Sequence, residues 1–193
     1  MKSNMHSNDS DKNFFWKHIE IENYSNIIDQ LQSSTVPGLL KIRERGFFHY
    51  DLEKFKNTCP LFIDWVKSKS LDIRVVAIIK TLATHPQDIH RDFIPAAPGN
   101  TYAINLNLYN CVETYTRMFK LKDDIELPPV TYGPNGKPFF SYSENNCTEV
   151  TRYTLEKPII LNVAQIHQVV NNTEKTRISV SFRFKNLLDL DKF

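Results

Sequence analysis

Cysteine and glycine are both scarce in this chain, with three and five copies among 193 residues. Cys59, Cys111 and Cys147 are odd in number, far apart, and form no Cys-x-x-Cys pair. That pattern argues against a secreted disulfide framework and for reduced thiols in a cytosol-like compartment. Long apolar runs are missing too. No stretch reaches the ~18 consecutive apolar residues of a membrane span. The opening segment MKSNMHSNDSDK lacks the apolar centre of a signal peptide. A cytoplasmic protein without membrane contact is the expectation, so the Asn-x-Ser/Thr triplets at Asn23, Asn146 and Asn171 read as chance. No sign of charge dominates: 24 Lys and Arg face 22 Asp and Glu, for a net +2. That balance is too mild to argue for nucleic acid or an anionic membrane as partner. Internal repeats and low-complexity segments are absent as well.

What remains is an ordinary globular composition, 41% hydrophobic and 24% charged. The length suits one substantial domain and is too short for two comfortable ones. Residues 1–12 read as a flexible tail and 13–193 as the domain. Phe14 to Ile21 is short and aromatic enough for a strand or a docking element. Asn26 to Gln32 carries Ile27, Ile28 and Leu31 at helical spacing. GFFHY (46–50) reads as a strand, Asp51 as the cap of a helix bearing Leu52 and Phe55, and Pro60 as the opening of another.

From Asp72 the character changes to strand. IRVVAIIKTL, YAINLNLYN, TYTRMFKL, TEVTRYTL, PIILNV, IHQVVN and RISVSFRF follow one another, separated by turns. Residues 122–149 are rich in proline and include Asn135-Gly136, which suits a long loop or an extended hairpin. Helices first (13–70) and then about seven or eight short strands (about 72–184) point to a mainly β fold with flanking helices. A helix-buttressed antiparallel sandwich or jelly roll fits. An immunoglobulin-like sandwich has no Cys…Trp…Cys spacing to support it.

The chemistry concentrates in two places. In IHRDF, His90 and Asp92 are two residues apart, so in an extended segment both face one space. An imidazole and a carboxylate suit a borderline metal such as Fe(II), although a lone His-x-Asp is weak evidence. At the other end, His167 is followed ten positions later by Arg177, with Ser179 on the same strand face. Ile178, Val180, Phe182 and Phe184 occupy the opposite face. A buried arginine calls for an anion, and its planar fork with a serine hydroxyl can grip a carboxylate. The competing reading is an exposed arginine on an edge strand, with Arg183 completing a solvated face.

Taken in order, His90-x-Asp92, His167 and then Arg177-x-Ser179 resemble the HxD…H…RxS pattern of the iron(II)- and 2-oxoglutarate-dependent oxygenase superfamily. The resemblance covers roughly residues 72–184, and AINLNLYNC and NVAQIHQVVNNTEKTRISVSFRF also look like its compact members. It implies a double-stranded β-helix, a cupin-like jelly roll, with Fe(II) held by His90, Asp92 and His167. It further implies 2-oxoglutarate as cosubstrate, its far carboxylate on Arg177 and Ser179, and O2 as oxidant. The implied activity is that of a dioxygenase, most simply a hydroxylase, acting on a small molecule or a protein side chain. Two alternatives stay open: a catalytically silent jelly-roll binding module, and another cupin-like metalloenzyme with a carboxylate substrate on Arg177.

The remaining candidates have simpler readings. His85 precedes Pro86 and suits a turn. His49 reads as a packed or edge histidine, and His6 and His18 show no partner. Asp88 reads as an exposed loop acid, with a role as acceptor for an imidazole N–H as the sharper option. Tyr102, Asn105, Asn107 and Tyr115 lie where a cosubstrate pocket would be, but strand bulges make their facing undecidable from spacing. Tyr132, Phe139, Phe140 and Tyr142 read equally well as a substrate lid or as a loop folded onto its own aromatics.

Overall fold

The structure, a computed structural model, describes residues 14–92, 101–132 and 138–193. The expected tail and the Asn135-Gly136 turn lie outside the described residues. Among the described residues, three α-helices and twelve strands follow one another along the chain.

Helix α1 (Tyr24–Lys41) is longer than its clearest periodic stretch. Thr35, Val36 and Leu39 continue the buried stripe begun by Ile27 and Leu31, so packing carries the helix past Pro37. Ser33, whose carbonyl loses its donor to that proline, is exposed to water. Where α1 ends, the buried Lys80 ammonium donates to the carbonyls of Leu39 and Ile42. Helix α2 (Leu52–Thr58) is capped by Asp51, whose carboxylate accepts from the Lys54 amide at 2.7 Å. Helix α3 (Pro60–Ser68) begins on Pro60, as the missing N–H permits.

The strands form two six-stranded antiparallel sheets. The first comprises β1 (Trp16–His18), β2 (Gly46–Tyr50), β3 (Ile73–Thr81), β5 (Tyr102–Tyr109), β10 (Ile159–Asn162) and β12 (Arg177–Phe184), in the order β1-β10-β5-β12-β3-β2. The second comprises β4 (His90–Asp92), β6 (Tyr115–Leu121), β7 (Val130–Tyr132), β8 (Pro138–Ser141), β9 (Cys147–Tyr153) and β11 (Ile166–Val170), in the order β7-β8-β4-β11-β6-β9. This is the jelly-roll layout that the strand pattern implies. The N-terminal part supplies more than helices, because β1 and β2 close the two edges of the first sheet.

Each face of the first sheet has its own chemistry. Ile78, Leu106, Val180 and Phe182 face the helices and pack with Ile27, Leu31, Phe55, Phe62 and Trp65 in one continuous core. The other face of β12 carries Arg177, Ser179, Ser181 and Arg183, which line the space between the sheets. Strand β12 lies between β5 and β3, so Arg177 is on an interior strand and only 4% exposed. The edge-strand reading of Arg177 is thereby excluded. At the turn between β11 and β12, fully buried Asn171 donates its amide to the carbonyls of Thr81, Leu82 and Lys175. That side chain is committed to holding the turn. All three cysteines are free and buried.

Candidate metal centre

The two sheets enclose a cavity of about 680 Å³, lined by His90, Asp92, His167, Arg177, Ser179 and Arg183 among others. His90 and Asp92 point into it from β4, two residues apart as extended backbone requires. His167 arrives from β11, whose antiparallel register places it directly opposite His90. The two imidazole centroids are 4.4 Å apart, and one ligand atom from each of His90, Asp92 and His167 lies within 4.8 Å of the others. These three form the group of potential metal-ligating side chains among the described residues.

Both imidazoles are oriented by the same local device. His90 Nδ1 hydrogen-bonds the Asp88 carbonyl at 2.8 Å, and His167 Nδ1 the Gln165 carbonyl at 2.9 Å. Donation from Nδ1 to a backbone oxygen leaves the Nε2 lone pair of each ring for a metal. Asp88 thus contributes its backbone oxygen to His90, not the carboxylate that the sequence drew attention to. Burial pushes the His167 pKa down to about 4, and the neighbouring His90 adds to that shift. The ring is neutral near pH 7, the form that binds metal.

Asp92 is ordered by Arg183, a residue that only the competing edge-strand reading had considered, as part of a solvated face. Arg183 Nη2 donates to Asp92 Oδ2 at 2.5 Å, while Oδ1 faces His90 Nε2 at 3.7 Å. Burial alone would raise the Asp92 pKa, but Arg183, His167 and His90 together hold it below the usual carboxylate range. The carboxylate is therefore ionised, with one oxygen tied and the other turned toward the two imidazoles. Two neutral nitrogens and one carboxylate oxygen on one side of a cavity fit a facial Fe(II) site with further positions open.

Deeper along β12, Arg177 Nε donates to Thr114 Oγ1 at 3.0 Å and Nη1 to Ser179 Oγ at 3.1 Å. No carboxylate pairs with this buried guanidinium among the described residues. Tyr153 belongs to the same lining, and its hydroxyl bonds with Thr116 and Asn105. Burial pushes its pKa up to about 12, so it stays protonated. Asn105 has a buried Oδ1 without a partner. Of the residues left undecided by spacing, Asn105 thus faces the cavity. Tyr102 and Tyr109 pack against the helix-side core, and Tyr115 lies under the Arg152 guanidinium outside the cavity.

The proline-rich segment divides between its two readings. Strands β7 and β8 pair antiparallel, and Phe139 brings its ring edge-on to His90 at 6.1 Å. Phe140 stacks under Arg91 and Tyr142 is buried, whereas Tyr132 is exposed. His85 bonds the Ala83 carbonyl in a turn at the cavity rim. His49 and His18 are exposed, and each makes an edge contact with an aromatic neighbour on its own strand.

Comparison of the sequence finds no matching family model and no matching curated protein. Comparison of the fold does find relatives. The epimerase SnoN, solved with Fe3+, alpha-ketoglutarate and nogalamycin RO, is 15% identical with a TM-score of 0.58, over 88% of this chain and 78% of SnoN. AviO1 from Streptomyces viridochromogenes Tue57 is 10% identical with a TM-score of 0.53, over 89% and 90%. HygX from Streptomyces hygroscopicus, solved with iron bound, is 9% identical with a TM-score of 0.50, over 88% and 81%. At these identities the likeness is one of architecture. The chain has the jelly-roll fold of the iron- and 2-oxoglutarate-dependent oxygenases.

Proposed function

We propose that this protein is an Fe(II)- and 2-oxoglutarate-dependent dioxygenase, and most simply a hydroxylase. His90, Asp92 and His167 hold the metal in this reading, and Arg177 with Ser179 receives the far carboxylate of 2-oxoglutarate. The observation that carries it is the unneutralised Arg177 guanidinium, 4% exposed in the cavity that also holds the triad. Burying an unpaired cation costs several kcal/mol by general estimates, so such a residue is retained where an anionic ligand completes it. A small dianionic cosubstrate reaching from the metal to Arg177 meets that need. Bound iron would supply dioxygen activation coupled to oxidative decarboxylation of the cosubstrate.

The chain's own groups perform the remaining work. The Asp88 and Gln165 carbonyls fix the imidazole tautomers, and Arg183 fixes the Asp92 carboxylate. Thr114 and Ser179 hold the Arg177 fork ready for a carboxylate. Phe139 covers the His90 side and helps to exclude water. The substrate of this reading is a small molecule or a protein side chain, and a cytoplasmic setting fits the buried free thiols.

The test is succinate formation from 2-oxoglutarate with Fe(II) and O2. Wild type is expected to form succinate even without a primary substrate, at a slow uncoupled rate, and Asp92→Asn to form none. Equal succinate from both proteins overturns the reading. Asn is chosen over Ala because its amide oxygen can still accept from Arg183.

A further inference from the structure

Strand β4 pairs with β11 at His90↔His167, and strict antiparallel register continued from there sets Asp88 against Val169. Gln87, one residue earlier, is the residue whose amide donates to the Val169 carbonyl, at 2.8 Å. Gln87 and Asp88 together thus stand against one residue of β11, in the manner of a bulge. The offset turns the Asp88 carbonyl to His90 Nδ1 at 2.8 Å.

Gln87 is held from three sides. Its amide donates into β11, its carbonyl accepts from Gln168 Nε2 at 2.9 Å, and its own Nε2 donates to Thr81 Oγ1 at 3.2 Å. Thr81 is buried at the end of β3 and pairs with Arg177, so Gln87 ties this loop to both sheets. The amide of Gln168 has one orientation, because its Oε1 accepts from Arg117 Nη1 at 3.2 Å and leaves Nε2 for Gln87. Arg117 is anchored in turn by Glu149 at 2.7 Å and Glu144 at 2.8 Å. Successive residues of a strand face opposite ways, so Gln168 projects from the sheet face behind His167. A glutamine on an outer strand face can be satisfied by water. Here both ends of its amide are used to hold a loop carbonyl, one residue before the carbonyl that orients His90.

We infer that Gln168 is a positioning residue of the metal centre. Through the Gln87 carbonyl it holds the offset that keeps the Asp88 carbonyl on His90 Nδ1. His90 serves a metal in the dioxygenase reading, on which this inference rests, but the hydrogen-bond chain itself is independent of that reading. Without Gln168 Nε2 the Gln87-Asp88 segment gains freedom, and His90 loses the partner that reserves its Nε2 lone pair. His167, whose Nδ1 partner is the Gln165 carbonyl, lies outside this chain of contacts. Loss of Gln168 therefore disturbs His90 and spares His167.

Nitrogen-15 NMR of the histidine side chains in the metal-free full chain tests it, at a pH above the ordinary imidazole range, where the signals report the tautomer. Wild type is expected to carry the proton on Nδ1 of both His90 and His167. In Gln168→Met, His90 should shift toward protonation at Nε2 while His167 keeps the wild-type pattern. Gln168→Glu retains an acceptor for Arg117 but has no donor for Gln87, and should shift His90 in the same way. Lys120→Gln, at an exposed position of β6, should leave both rings as they are in wild type. Fe(II) affinity, titrated anaerobically with 2-oxoglutarate, should fall roughly two- to tenfold in both Gln168 variants, the worth of one hydrogen bond. An unchanged His90 tautomer in the two variants overturns the inference, and so does equal disturbance of His90 and His167, which assigns Gln168 to the strand as a whole. A shifted tautomer with unchanged Fe(II) affinity overturns the role at the metal. The visible charge-transfer band of wild type with Fe(II) and 2-oxoglutarate judges the dioxygenase reading separately. Without the band that reading falls, and the tautomer comparison, made without iron, still decides whether Gln168 positions His90.

Discussion

Arg183 and Asp92 lie 91 positions apart in the sequence, yet Nη2 of one meets Oδ2 of the other at 2.5 Å. The pair joins the first sheet to the second at the candidate metal centre, and it leaves Asp92 Oδ1 turned toward His90. In the proposed function, removing Arg183 releases a metal-ligating carboxylate rather than a surface charge. Arg183→Met is expected to weaken Fe(II) affinity about tenfold to hundredfold, the usual cost of losing an outer-shell partner. Arg183→Lys should recover part of the loss. Anaerobic metal titration reads both, and affinity unchanged in Arg183→Met contradicts the role.

In the proposed function, Arg177 trades stability for binding. Replacing an unpaired buried cation by an apolar side chain of similar length removes a desolvation penalty. Arg177→Met should therefore unfold at the same or higher urea concentration than wild type. Its 2-oxoglutarate affinity should fall by about tenfold or more, as expected for a lost bidentate contact. Fe(II) binding should stay as it was. Loss of stability with cosubstrate affinity intact would assign Arg177 to the fold instead.

The metal-free protein should weaken in mild acid. Burial, with His90 beside it, lowers the His167 pKa from 6.5 to about 4, so the unfolded chain binds more protons between those two values. Stability then rises with pH through this window and falls as pH drops from 6.5 toward 4. Asp92, whose pKa is held below 3.8, adds a loss of the same sign at lower pH. Urea midpoints of metal-free wild type at pH 7 and pH 5 should differ more than those of His167→Asn. An equal or larger difference in the variant contradicts the assignment.

Lys80, which turns its ammonium to the end of α1, offers a check on the scaffold. Its ammonium supplies donors to two carbonyls at the end of α1, and Lys80→Ala leaves Leu39 and Ile42 without them. The cost should be roughly 1–3 kcal/mol, the penalty for buried acceptors left unmade. The denaturation midpoint measures it, and an unchanged midpoint would show that water or local rearrangement replaces the ammonium.

Much of this arrangement was legible because strands repeat every two residues. That period put Arg177 and Ser179 on one face of β12 and Ile178, Val180, Phe182 and Phe184 on the other, as found. The same period also put Arg183 beside Arg177, a signal that could have marked it as buried once Arg177 was. What no one-dimensional pattern contains is the partner. Asp92 reaches Arg183 only because the two sheets face each other across the cavity. The offset at Gln87 and Asp88 was hidden for a similar reason, since register shifts are set by pairing between strands. Helix α1 outran its sequence signal because tertiary burial of Val36 and Leu39 outweighs the cost of Pro37. Asn105 could be placed only after the sheet had fixed its face.

In the proposed function, His90, Asp92 and His167 hold iron with 2-oxoglutarate bound beside it. Anaerobic addition of Fe(II) to the protein and 2-oxoglutarate tests it most directly. Wild type is expected to show a visible charge-transfer band that saturates at one iron per chain and is absent in Asp92→Asn and His167→Asn. A band of equal strength in those variants, or none in wild type, contradicts it.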